Sequence, residues 1–228
     1  MRSNIMGQTT TIEMTDGFAL GAYTNAPETG VSKGAIVVIQ EIFGVNTHIQ
    51  QVVDGYAEQG YTAIAPAIFD RVEPGIQLGY TEADMGRGIE LAFQQLEMSQ
   101  TLQDLQCVVN HAGSFGSVGV VGYCFGGLLT YLSACNLTGV KAASSYYGGG
   151  IAGALGQQPT CPLIMHFGEL DAHIPMSDVD KIKAAHSQVP VYVYDADHGF
   201  NCDHRGSYNA KASGLALERT LEHFEQNL

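Results

Sequence analysis

Short runs of consecutive apolar residues recur along the chain: GAIVVI (34–39), YTAIAP (61–66), SVGVVG (117–122), VKAASSYY (140–147), PLIMHF (162–167) and VPVYVY (189–194). Unbroken runs of this length, rich in β-branched residues, suit strands buried on both faces, the condition of a parallel sheet covered by helices. Between them the pattern predicts helices over residues 48–59, 81–112, 125–136, 177–187 and 207–227. In the last of these, Leu217, Leu221, Phe224 and Leu228 fall at helical spacing and predict an apolar stripe that docks on the sheet. The opening segment TTTIEMTDGFALGAYTNA alternates around Asp16-Gly17, a favoured tight-turn pair, and predicts an antiparallel hairpin. Strand and helix in repeated alternation predict a doubly wound α/β fold. Residues 71–88, RVEPGIQLGYTEADMGRG, form the least regular stretch and a candidate lid over a site.

Composition narrows the picture. The 228 residues are 45% hydrophobic and 14% charged, enough for one well-buried α/β domain over residues 1–228. A net charge of -13 with only 10 Lys and Arg argues against a nucleic-acid partner or an anionic membrane surface, since both are held by excess cations. No stretch has the length of a membrane span, and the N-terminal residues lack the apolar core of a signal peptide, so a cytoplasmic protein is expected. Five cysteines without framework spacing fit reduced thiols.

Ligands of open α/β sheets bind beyond the carboxyl ends of the strands, so the loops after the apolar runs hold the candidate chemistry. Gly122-Tyr123-Cys124-Phe125-Gly126-Gly127 follows the third run. Its Gly-x-Cys-x-Gly spacing copies the nucleophile elbow usually written with serine, in which small flanking residues let a strand and a helix meet around a strained central residue. A helix start there favours a thiolate and a reacting oxyanion. Cys124, Asp171 and His198 then follow the order nucleophile, acid, base, with Glu169 as an alternative acid. In this reading His198 pairs with the thiolate and protonates the leaving oxygen while Asp171 fixes the imidazole. His166 lies inside an apolar run and reads as a hydrogen-bonded core histidine. His198, Cys202 and His204 are metal-ligand types, but their spacing matches no common structural zinc motif, and no metal is expected.

QEIFGVN (40–46), GYCFGG (122–127), the Asp171 region and DHGFNCDHRGSY (197–208) together resemble the dienelactone hydrolases, or carboxymethylenebutenolidases, of the α/β-hydrolase superfamily. The resemblance implies the α/β-hydrolase fold and a cysteine hydrolase that opens a carboxylate-bearing enol-lactone in aromatic catabolism, through a thioester and without a dissociable cofactor. It implies that Glu41 accepts the thiol proton when the substrate's carboxylate disturbs an arginine–glutamate pair. It also implies that the N–H groups of Ile42 and Phe125 form the oxyanion hole. Two neighbouring anions in a partly dry site disfavour each other, which makes a substrate-triggered transfer physically reasonable.

The family's two carboxylate-binding arginines are where the chain departs. Gly86 stands at the first position beside Arg87, and Cys202 stands at the second with Arg205 three residues on. A thiol cannot replace a bidentate guanidinium. Arg87, Arg71 and Tyr123 are therefore the candidate substrate contacts, and another small ester or lactone is an alternative substrate. A catalytically silent scaffold that binds a small anion or a protein is the alternative from another class. The expected partner is a small lactone or ester, and the expected assembly a monomer or weak homo-oligomer.

Overall fold

The computed structural model describes residues 6–228; the first five residues of the expected 1–228 domain, and of the segment read for a leader, lie outside the described residues. Eight strands form one sheet: β1 (Gln8–Glu13), β2 (Ala19–Asn25), β3 (Ala35–Ile39), β4 (Thr62–Pro66), β5 (Val118–Tyr123), β6 (Val140–Tyr146), β7 (Leu163–Gly168) and β8 (Val191–Tyr194). Their order is β1-β2-β4-β3-β5-β6-β7-β8. The β1–β2 and β2–β4 pairs are antiparallel and all others parallel. The expected hairpin is present, with Gly17 at φ 81 in its turn. β3, β4 and β5 are buried at every residue, as their unbroken apolar composition requires.

Among the described residues six α-helices lie between or after the strands: α1 (Thr47–Glu58), α2 (Glu82–Glu90), α3 (Met98–Ala112), α4 (Phe125–Asn136), α5 (Met176–Ala185) and α6 (Ala210–Asn227). Helices cover both faces, which β5 makes plain. A Cβ on Gly119 would meet Phe224 and Leu228 at the end of α6, whereas one on Gly122 would meet Gly126 and Thr130 of α4. Residues three apart in a strand point to opposite faces, so α6 and α4 lie on opposite sides of the sheet.

Two expectations need correction. Residues 81–112 are not one helix: α2 widens into a π turn at Leu91–Gln95, Leu96 and Glu97 are extended, and α3 starts afresh at Met98. The break leaves α3 against the sheet and turns α2 toward the cavity described below. The docked stripe of α6 is Ala212, Ala216, Thr220 and Phe224, while Leu217 is exposed. Small residues bring this helix close enough for the Thr220 hydroxyl to reach Ser144 at 2.9 Å, Tyr146 at 2.8 Å and His166 at 3.2 Å. His166 is the expected core histidine: its other nitrogen bonds the Tyr194 hydroxyl at 2.8 Å, and burial pushes its pKa down to about 3.

Candidate active site

β5 delivers Cys124 at the carboxyl edge of the sheet, directly before α4, in a backbone conformation of φ 57 and ψ -114. A side chain at positive φ is strained, by about 1–3 kcal/mol, and persists only where the surroundings enforce it. Here two glycines enforce it. A Cβ on Gly126 would run into the carbonyl oxygens of Ile39 and Gln40, and one on Gly122 into the Gly126 carbonyl. β3, β5 and α4 thus pack backbone against backbone around the turn. Phe125 is the first residue of α4, so its N–H lacks an intrahelical partner, and Ile42 enters the same cavity from the loop after β3.

The loop after β8 brings His198 to the thiol. Its Nδ1 bonds Asp171 Oδ2 at 2.7 Å, and the other carboxylate oxygen of Asp171 accepts the N–H groups of His173 at 2.8 Å and Ile174 at 3.2 Å. Asp171 is buried and immobilised; Glu169, the alternative acid, is exposed. Burial alone would lower the His198 pKa, but the charge of Cys124 and hydrogen bonds to Asp171 and Cys124 outweigh it and raise the value to about 10. A protonated imidazole opposite the sulfur is thus favoured once Cys124 carries its charge. His173 lies at the cavity mouth, its ring 5.3 Å from that of His198, and is exposed.

Cys124 and His198 form the floor of a cavity of about 280 Å³. Its walls are apolar: Met85, Ile89 and Phe93 from α2 and its π turn, with Phe125 and Leu128 from α4. A larger hollow of about 540 Å³ sits at the amino ends of β7 and β8, lined by Leu163 and Pro190, away from the elbow and from the edge where such sheets bind ligands.

Glu41 is fully buried, and neither carboxylate oxygen has a hydrogen-bond partner. Arg205 Nη1 stands 3.7 Å from it, an ion pair too long for a hydrogen bond. Arg205 also lines the cavity, and the absent side chain of Gly199, at φ 76, leaves room for its guanidinium. Cys202 donates its thiol proton to the Tyr80 hydroxyl at 3.2 Å, and burial, with the nearby charge of Glu41, pushes its pKa up to about 11.

The three expected substrate contacts lie elsewhere. Arg71 is clamped by Asp104 at 2.7 Å and Asp16 at 2.7 Å, tying the hairpin to α3. Arg87 is held by Glu73 at 2.6 Å and Glu90 at 2.8 Å, on the side of α2 away from Met85 and Ile89. Tyr123, one residue before the elbow, points to the other face of the sheet, buried with its ring 4.8 Å from Tyr146. Among the described residues lining the cavity, Arg205 supplies the guanidinium. Sequence reasoning also passed over the apolar wall, although Met85, Ile89 and Phe93 recur every fourth residue and their spacing alone marks a helix face.

Comparison with known proteins agrees with this architecture. The dienelactone hydrolase family matches residues 20–228. A putative carboxymethylenebutenolidase of Synechocystis is 39% identical over 213 residues, covering 85% of this chain and 86% of its own. The carboxymethylenebutenolidase of Pseudomonas putida is 32% identical over 221 residues, covering 92% and 93%. Among solved structures, a putative dienelactone hydrolase from Klebsiella pneumoniae superposes with a TM-score of 0.83 at 28% identity, covering 96% of this chain and 98% of that one. With these matches spanning most of its length, and an elbow at the carboxyl edge of an α/β-hydrolase sheet, the chain belongs to the dienelactone hydrolase family.

Proposed function

We propose that the protein is a cysteine-dependent hydrolase of small lactones and esters, acting through a thioester on Cys124, with ring opening of a dienelactone as its leading reaction. The observation that carries this reading is geometric: Cys124 sits at φ 57 on a strand-to-helix turn, in one cavity with a His198 whose Nδ1 is held 2.7 Å from the buried Asp171 carboxylate. The Cys124 thiolate attacks the carbonyl carbon, and charge develops on the carbonyl oxygen toward the N–H groups of Ile42 and Phe125. The C–O bond then breaks, the leaving oxygen takes the proton of His198, and the acyl group remains on sulfur; in a lactone the leaving group stays tethered to it. Neutral His198 next takes a proton from water, whose oxygen attacks the thioester, and C–S cleavage returns the thiolate and imidazolium.

Glu41 supplies the activation. An anionic substrate reaching Arg205 competes with Glu41 for that guanidinium, and the released carboxylate takes the thiol proton. The single arginine and the apolar wall favour substrates with an apolar body and at most one carboxylate. All five cysteines are free, which supports a reducing, cytoplasmic setting. No described helix is long and apolar enough to cross a membrane.

A panel of lactones and aryl esters, with and without a carboxylate, tests the reading on three proteins. Cys124→Ala should lose turnover of the whole panel while keeping its thermal midpoint, and Glu41→Gln should lose at least tenfold more rate on anionic than on neutral members. Undiminished turnover by Cys124→Ala rejects the nucleophile; equal losses in Glu41→Gln reject activation by the substrate's charge.

A further inference from the structure

Glu41, His48 and Cys202 meet in a buried cluster of which the proposed hydrolysis uses only Glu41. One ligand atom from each, a carboxylate oxygen, an imidazole nitrogen and Sγ, all lie within 4.8 Å of one another. Both Glu41 oxygens and His48 Nε2 are buried without a hydrogen-bond partner. A buried polar atom without a hydrogen bond is costly, a charged one more so, and the Arg205 guanidinium at 3.7 Å offsets only part of that cost, so three such atoms in one place point to a ligand. The second nitrogen of His48, Nδ1, faces Asp203 Oδ1 at 3.5 Å. A carboxylate on the far side of an imidazole is the arrangement that orients histidine toward a metal.

From these observations we infer that Glu41, His48 and Cys202 form a binding site for a thiophilic divalent cation of the zinc or cadmium type. Carboxylate oxygen, imidazole nitrogen and thiolate sulfur are the donors zinc accepts, at about 2.0–2.3 Å, which puts tetrahedral ligand atoms roughly 3.5 Å apart. Closing the observed separations to that span takes a shift of about 1 Å or less per side chain, within reach of small torsional changes. Three different elements fix the donors: the loop after β3, the first turn of α1 capped by the Asn46 side chain, and the loop after β8. On binding, the Cys202 thiol proton leaves to solvent, and the dication offsets the charges of one carboxylate and one thiolate, with the opposite charges of Arg205 and Asp203 beside them. The donor set differs from the sequence-level grouping of His198, Cys202 and His204: His198 is committed to Asp171, and His204 bonds Gln51 at 2.8 Å.

The consequence for activity rests on the reading of Glu41 as proton acceptor: a carboxylate coordinated to the cation is withdrawn from both Arg205 and Cys124, so the cation inhibits. Binding is tested without reference to hydrolysis. Cobalt(II), a spectroscopic substitute for zinc, is titrated into full-length Cys124→Ala protein, which lacks the competing catalytic thiol. The expected result is a sulfur-to-cobalt charge-transfer band that saturates at one equivalent, is bleached by zinc, disappears in Cys124→Ala/Cys202→Ser and weakens at least tenfold in affinity in Cys124→Ala/His48→Asn. No band at one equivalent, or a band that survives both second substitutions, overturns the site. In parallel, zinc should inhibit the wild-type enzyme reversibly to chelator, with Cys202→Ser at least tenfold less sensitive. Cobalt binding at Cys202 without that inhibition would uphold the site and reject Glu41 as the base.

Discussion

Cys124 holds a backbone conformation that glycine would adopt more easily, at φ 57, and in it Cys124, the first residue of α4 and His198 line one cavity. His198 reads that environment most sensitively. Removing the charge of Asp171 with Asp171→Asn should lower the His198 pKa from about 10 toward its ordinary 6.5. The imidazolium then deprotonates at lower pH, and the alkaline limb of the rate profile moves down with it. By analogy with serine triads the rate loss should be about 10³–10⁴-fold. NMR titration of the ring and a pH–rate profile check both, and an unshifted His198 would remove Asp171 from the account. These three residues were legible in the sequence because each follows an apolar run in the order such sites require. Arg205 was not, because its guanidinium reaches back over Gly199 from seven residues beyond His198, a path that no fixed spacing encodes.

At the scale of elements, the cavity depends on how the chain between β4 and β5 breaks. A continuous helix over 81–112 would follow one axis; the π turn at Leu91–Gln95 and extended Leu96 and Glu97 let α2 turn to the mouth while α3 stays on the sheet. Phe93 sits in that turn, exposed, with its ring 5.3 Å from Phe125. Because it is exposed without substrate, Phe93→Ala should leave stability within about 0.5 kcal/mol of wild type. If a bound aryl group buries the ring, losing that burial should weaken kcat/KM for aryl esters by roughly tenfold or more and leave small alkyl esters nearly untouched. Equal effects on both substrates would show that α2 is no part of the binding wall. The strands, the hairpin and most helices were legible from periodicity. The break was not, since apolar spacing continues across it and the deciding feature is two backbone dihedrals. The α6 stripe was misread for a related reason: hydrophobicity favoured leucines, whereas close packing selected alanine and threonine.

Over the whole molecule, charge and burial oppose each other as pH falls. Protonating carboxylates relieves the repulsion of a chain carrying -13, but the fold also buries histidines in their neutral form. His166 is pushed down to about 3 by burial, and His48, His186 and His223 are lowered for the same primary reason. Between that value and about 6.5 the unfolded chain binds a proton that the folded His166 refuses, so stability falls with pH by up to about 1.4 kcal/mol per unit from this group. His198 acts with the opposite sign: its contribution is present below about 6.5 and is lost as pH rises through about 10. Urea unfolding between pH 4 and 7 should therefore show a steeper acid loss in wild type than in His166→Gln; identical slopes would contradict the buried neutral imidazole. The central claim, that the acyl group passes onto Cys124, is tested most directly by acid-quenching the enzyme during turnover of a slow ester and measuring the mass of the intact protein and its peptides. The account predicts an adduct of the acyl mass on the Cys124 peptide, absent from Cys124→Ala. Turnover with no adduct on that peptide, or with the acyl group on another residue, would contradict it.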